Sequence, residues 1–215
     1  EWLWRPLSNR RALQVSSFQS AHLKGFGLLQ RDRNFDHYQD LEAHYQNRPS
    51  AWVEPVGDWG KGEVQLVEIP SHSETDDNIV AYWVPAQMPA PGQPLHIAYR
   101  LSWYEEAARP AAGYTAATRV AAASVKGGRK FVLDFAGGKL SSLGSDTKLD
   151  ADISVSANAR LLDKTHFLEK NPATGGWRVV FEVVPRTPHA PVELRVFLRS
   201  GKEALTETWS YLWTS

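Results

Sequence analysis

This 215-residue sequence predicts an all-β protein, on three observations. Its apolar stretches are short and rich in Val, Ile, Thr and aromatic residues. Gly, Pro, Asn or Ser bounds nearly all of them, as strands ending in turns require. No segment carries the sustained apolar stripe of a long amphipathic helix.

In chain order, residues 1–7 (EWLWRPL) read as strand interior from the start, with no signal peptide; we therefore expect the polypeptide to begin upstream. Strands are predicted at Leu13–Phe18, Gly25–Arg31, Ala51–Val56, Glu63–Ile69 and Ile79–Val84. Within the fourth, Val64, Leu66, Val67 and Ile69 do not alternate strictly, which predicts a bulge or burial on both faces. One helix is expected over Asp36–Tyr45, with Tyr38, Leu41 and Tyr45 toward the core. Residues 85–94 (PAQMPAPGQP) hold four prolines and a glycine, so they cannot be a central strand and read as a linker or long crossing loop. Beyond them seven strands are predicted: Leu95–Tyr104, Thr115–Ser124, Lys130–Phe135, Asp152–Asn158, Trp177–Val184, Val192–Arg199 and Thr206–Leu212. That number of short strands suggests an immunoglobulin-like β-sandwich. Residues 170–177 (KNPATGGW) form a strong turn. Residues 107–123 are Ala-rich without a helical stripe. The expected division is residues 1–84, a linker at 85–94, and a sandwich over 95–215.

Composition narrows the function. The formal net charge is zero, so no basic excess marks a nucleic-acid partner. Residues 1–91 hold 8 Lys+Arg against 12 Asp+Glu and residues 92–215 hold 16 against 12, a shift that suits two modules. Cysteine is absent, which removes disulfides, thiolate catalysis and Cys-ligated metal. No apolar run approaches the roughly 20 residues of a membrane-spanning helix.

The candidate chemistry lies in residues 57–62 (GDWGKG) and 71–78 (SHSETDDN). The second stretch places Glu74, Asp76 and Asp77 together; if partly buried, mutual repulsion raises at least one carboxyl pKa, as a general acid needs. The same residues also read as a solvated acidic loop with an Asx-turn. A metal site of His72, Asp76 and Asp77 matches no recurring ligand spacing, and no metal or cofactor is expected. Trp59 and Lys61 lie in a glycine-rich turn, where an indole could stack on a sugar face. Arg31, Tyr38 and Asp40 lie in a polar stretch that could wall a hydroxyl-rich ligand, or could simply be a salt-bridged surface. Trp2, Trp4, Trp83, Trp177 and Trp209 fall in strand-like runs and read as core.

Several longer words identify a family. Residues 4–7 (WRPL), 25–31 (GFGLLQR), 48–53 (RPSAWV), 57–62 (GDWGKG), 67–70 (VEIP), 74–81 (ETDDNIVA) and 207–211 (ETWSY) together resemble the periplasmic glucan biosynthesis proteins G and D of Gram-negative bacteria. The resemblance runs in order along the chain and is densest before residue 85. It implies the C-terminal part of a galactose mutarotase-like β-sandwich, followed by an immunoglobulin-like one. It also implies a periplasmic location and a β-1,2-linked glucan as ligand. For the intact protein it implies an inverting β-1,2-glucanase or glucan-remodelling enzyme. Asp77 then takes the place of the general acid and Glu74 that of a supporting carboxylate. The resemblance places the base upstream of residue 1, so this chain alone would be inactive. A non-catalytic glucan-binding scaffold, working beside a membrane glucosyltransferase, remains the alternative.

Overall fold

The computed structural model describes residues 1–105 and 111–214. Among them the chain is all-β, with three short 3-10 turns as its helical content. It divides into two units, one made of Leu7–Ala108 and the other of Glu1–Pro6 with Arg109–Ser215.

The first strand, β1 (Leu3–Trp4), therefore belongs to the C-terminal unit. The Leu7–Ala108 unit holds two three-stranded antiparallel sheets. In one, β2 (Gln14–Ser20) and β6 (Ile79–Pro85) flank β5 (Gly62–Glu68); in the other, β3 (Phe26–Leu28) and β7 (Tyr99–Tyr104) flank β4 (Ser50–Pro55). β5 runs in unbroken register with both neighbours, so the predicted bulge is not there. Val64, Leu66 and Glu68 share one face of β5, as period-2 alternation requires, and Leu66 and Glu68 are buried. The irregular pattern arises because a carboxylate, Glu68, occupies a core position. Gly62 is needed where it stands: a Cβ there would lie 2.4 Å from both Trp83 Cζ2 and the Val84 carbonyl oxygen.

Two expectations for this unit are corrected. No helix covers Asp36–Tyr45. Separate 3-10 turns at Phe35–His37 and Tyr45–Asn47 stand there, and Gln39 and His44 take positive φ (53° and 49°), which no right-handed helix tolerates. The predicted strand Leu95–Tyr104, expected to open the second sandwich, is β7 over Tyr99–Tyr104 and pairs with β4 in register Val53↔Leu101. The proline-rich 85–94 stretch is thus a crossing loop inside this unit, joining β6 of one sheet to β7 of the other, and the change of unit falls at 108/109. Of the Ala-rich 107–123 stretch, residues 107–110 lie outside the described residues, and Tyr114–Ala122 is a strand.

The other unit is a two-sheet sandwich. One sheet is formed by β10 (Asp150–Val155), β14 (Val192–Ser200), β16 (Thr208–Trp213) and β1, in the order β1-β16-β14-β10, with β15 (Glu203–Ala204) appended to β14. The other is formed by β8 (Tyr114–Ala122), β9 (Arg129–Ala136), β11 (Ala159–Leu161) and β13 (Trp177–Pro185), in the order β11-β13-β9-β8, with β12 (Phe167–Lys170) also on β13. β1 is parallel to β16, while the other pairs in this unit's sheets are antiparallel. Alternate residues of both sheets fill the core: Phe131, Leu133 and Phe135 of β9, Val179, Phe181 and Val183 of β13, Leu194 and Val196 of β14, and Trp209 of β16. Phe131 stacks on Phe181 at 5.2 Å, and Trp209 meets Phe131 edge-on at 5.9 Å. Burying each such side chain contributes roughly 1.5–3 kcal/mol. Residues pointing outward from β9 and β13 form ion pairs instead. Asp134 is gripped by Arg178 and Arg119, and the Arg178 bonds lower its pKa.

Candidate functional site

The acidic stretch is the connection between β5 and β6. It begins where the hairpin ladder closes, with Ile69 N donating to Asn78 O at 2.8 Å and Asn78 Nδ2 to Ile69 O at 3.1 Å. Its serines knit the turn locally, as short hydroxyl side chains do when they bond nearby backbone. Ser71 Oγ lies 2.6 Å from Ser73 O and 3.0 Å from Asp76 Oδ2, and Ser73 N donates back to Ser71 Oγ at 3.1 Å. Asp76 is therefore committed to the loop. Glu74 and Asp77 are different: both are exposed, and neither carboxylate has a hydrogen bond or ion pair among the described residues. Glu74, Asp76 and Asp77 are all exposed, so the partial burial that would raise a carboxyl pKa is absent here and the stretch has the form of the solvated acidic loop that the sequence also allowed.

A hollow of about 350 Å³ opens beside the loop, with Asn9, Ser71, Ser73, Glu74 and Asp76 in its lining. Asp77 follows these residues without lining it. Asn9 enters from the segment after β1. Its side-chain amide donates to Ser71 O at 2.6 Å and accepts from Ser71 N at 3.1 Å. The residues on either side of Asn9 meet Glu68, whose Oε1 accepts from Arg10 Nε at 3.0 Å and from Ser8 N at 3.3 Å. Glu68 is completely buried and Arg10 nearly so.

The remaining predicted residues stand elsewhere. Lys61 and Trp59 precede β5, at the end of the hairpin opposite the acidic loop. Seven strand residues separate the two ends, about 20 Å at the usual rise. Lys61 borders a separate hollow of about 550 Å³ with Gln19, Glu63 and Pro85. Trp59 is half-buried rather than displayed: its ring lies 6.1 Å from Trp83 and 6.5 Å from Tyr99, and its indole N–H donates to Ala98 O at 3.0 Å. Tyr38 OH accepts from Gln30 Nε2 at 2.5 Å and donates to Asp32 O at 3.1 Å. Asp40 Oδ1 accepts from the backbone N–H groups of Glu42 and Ala43, bonds that lower its pKa. Arg31 is half-buried. None of Arg31, Tyr38, Asp40, Trp59 and Lys61 lines the acidic hollow. His72, Asp76 and Asp77 form no three-ligand metal cluster among the described residues.

A family model described as "Periplasmic glucan biosynthesis protein, MdoG" matches residues 1–213. The chain belongs to this family. Glucans biosynthesis protein G of Ralstonia nicotianae is 44% identical over 222 residues, covering 99% of this chain and 44% of that protein. Probable glucans biosynthesis protein D of Shewanella oneidensis is 45% identical over 222 residues, covering 100% of this chain and 41% of that protein. Glucans biosynthesis protein D of Stenotrophomonas maltophilia is 44% identical over 223 residues, again covering 41% of the relative. The chain thus spans less than half the length of these relatives, and it is as similar to the G-named as to the D-named ones. No helix among the described residues is long and apolar enough to cross a membrane.

In this MdoG-family chain, sequence reasoning missed Asn9, Arg10 and Glu68. The broken alternation of apolar residues over Val64–Ile69 is the one sequence signal that could have found Glu68, because a charged residue on an apolar face needs a partner. Nothing local pointed to Asn9, whose partner Ser71 is 62 positions away.

Proposed function

We propose that the intact protein is a periplasmic glucan-processing protein acting on a β-1,2-linked glucose backbone, with Asp77 as general acid and Glu74 as its supporting carboxylate. Family membership supports a role in glucan biosynthesis. The observation that carries the residue assignment is that Glu74 and Asp77 are exposed and unpaired among the described residues, in a loop whose third acid, Asp76, is tied to Ser71. Carboxylates left without partners are available to a ligand. An inverting glycosidase needs a second carboxyl group about 6.5–9.5 Å from the acid, on the far side of the sugar, to activate water. We place that base in the part of the family this chain does not span.

The full exposure of all three acids favours a second reading, in which the loop contributes to binding glucan without cleaving it. The protein would then serve as a scaffold beside a membrane glucosyltransferase. Reducing-end release from linear β-1,2-glucan by the full-length protein separates the two. Asp77→Asn should lower that release by at least about 10²-fold, the scale on which a general acid acts, and leave the melting temperature unchanged. Wild-type activity in Asp77→Asn would remove Asp77 from the mechanism. Binding without any release by the wild-type protein would leave the scaffold reading.

A further inference from the structure

We propose that Asn9 is a positioning residue for the carboxylate loop, itself set in place by the buried Arg10–Glu68 pair; this rests on the assignment of Asp77 and Glu74 given above. Most of the loop's hydrogen bonds stay within residues 69–78. Among the described residues, its side-chain tether from outside the hairpin is the Asn9–Ser71 pair. That tether is two-pronged: one amide engages both the N–H and the C=O of one residue, which fixes the orientation of Ser71 where a single bond would allow it to swivel. Ser71 in turn holds Asp76, the neighbour of Asp77, through its hydroxyl.

Asn9 is also held from behind. Ser8 N and Arg10 Nε, on either side of it, converge on the same oxygen, Oε1 of Glu68. Glu68 is the last residue of β5 and is completely buried. The central strand of the sheet thus sets where residues 8–10 lie, and Asn9 passes that placement to a solvent-exposed loop with few anchors of its own. Catalytic groups tolerate little displacement; about 1 Å can cost on the order of 10²-fold in rate. Loss of the tether should therefore be read in turnover rather than in global stability, because Asn9 itself is exposed.

The test is Asn9→Ala in the full-length protein, assayed on linear β-1,2-glucan with Asp77→Asn alongside. The expected result has three parts. Turnover falls about tenfold with little change in KM. Amide exchange at Ser71 and Asp76 quickens by at least about tenfold. The melting temperature stays at the wild-type value. Wild-type turnover in Asn9→Ala would overturn the proposal, whether or not exchange quickens. A fall in turnover accompanied by a lower melting temperature and unchanged exchange at Ser71 would also overturn it, because the effect would then be general destabilisation. If Asp77→Asn is inactive while Asn9→Ala is fully active, the positioning role fails alone. If Asp77→Asn is fully active, or the wild-type protein releases no reducing ends, the site assignment fails and the positioning role with it.

Discussion

Replacing Arg10 by Leu removes the guanidinium that sits 3.0 Å from a carboxylate with no solvent exposure. Glu68 Oε1 would keep the Ser8 N–H at 3.3 Å, while Oε2 is buried with no hydrogen-bond partner among the described residues. Beyond Ser8 N, the carboxylate therefore has no reserve donor among the described residues. Removing one partner of such a pair costs about 3–5 kcal/mol, which raises the opening equilibrium of the Leu7–Ala108 unit by roughly two to three and a half orders of magnitude. Glu68→Leu should also destabilise the unit, since it breaks the same buried pair. The double variant Arg10→Leu/Glu68→Leu removes both charges and should return to within about 1 kcal/mol of wild type. Native-state hydrogen exchange at Leu66 and Val67, next to Glu68 in β5, reads this opening in the unit concerned. A single-variant cost below about 1 kcal/mol, or a double variant as unstable as the two singles added together, would refute the reasoning.

Acid should destabilise the sandwich unit through Glu182, whose carboxylate accepts from Ser124 Oγ and N and from Lys130, bonds that lower its pKa to about 2. Because the folded pKa lies below the ordinary value of 4.5, this stabilisation is complete above pH 4.5 and is lost as pH falls toward 2. Thermal melts of Glu182→Gln between these pH values should show a shallower decline than wild type; parallel curves would contradict it. Gly62→Ala drives a methyl group into Trp83 and the Val84 carbonyl, and overpacking of this kind costs about 1–3 kcal/mol. Exchange at β5 amides should quicken accordingly, and a neutral substitution would show that the β5–β6 hairpin yields there.

Strand positions are largely legible because alternation and turn residues are local. The predicted Ile79–Val84 is Ile79–Pro85 in the structure, Val192–Arg199 is Val192–Ser200, and Trp177–Val184 is Trp177–Pro185. The short strands Ala159–Leu161 and Phe167–Lys170 escape such reading because three or four residues carry too little pattern. The Asp36–Tyr45 helix fails because helical spacing of Tyr38, Leu41 and Tyr45 does not nucleate a helix where Asp40 diverts backbone N–H groups into a local turn. The site divides in the same way. Spacing alone does not choose among Glu74, Asp76 and Asp77, and only the resemblance to the family points to Asp77 and Glu74, whereas Trp59 reads as a displayed ring and is packed against Trp83 and Tyr99.

Sequence alone settled that the chain is built of strands, where most of them run and which family it belongs to, because short-range alternation and long shared words survive without coordinates. Only the tertiary structure decided that β7 pairs with β4, that β1 joins β16, that Lys61 and Asp77 lie at opposite ends of one hairpin, and that Asn9 reaches Ser71. Those are pairings between residues far apart in the chain, and the energy that selects them comes from partners that no local window contains.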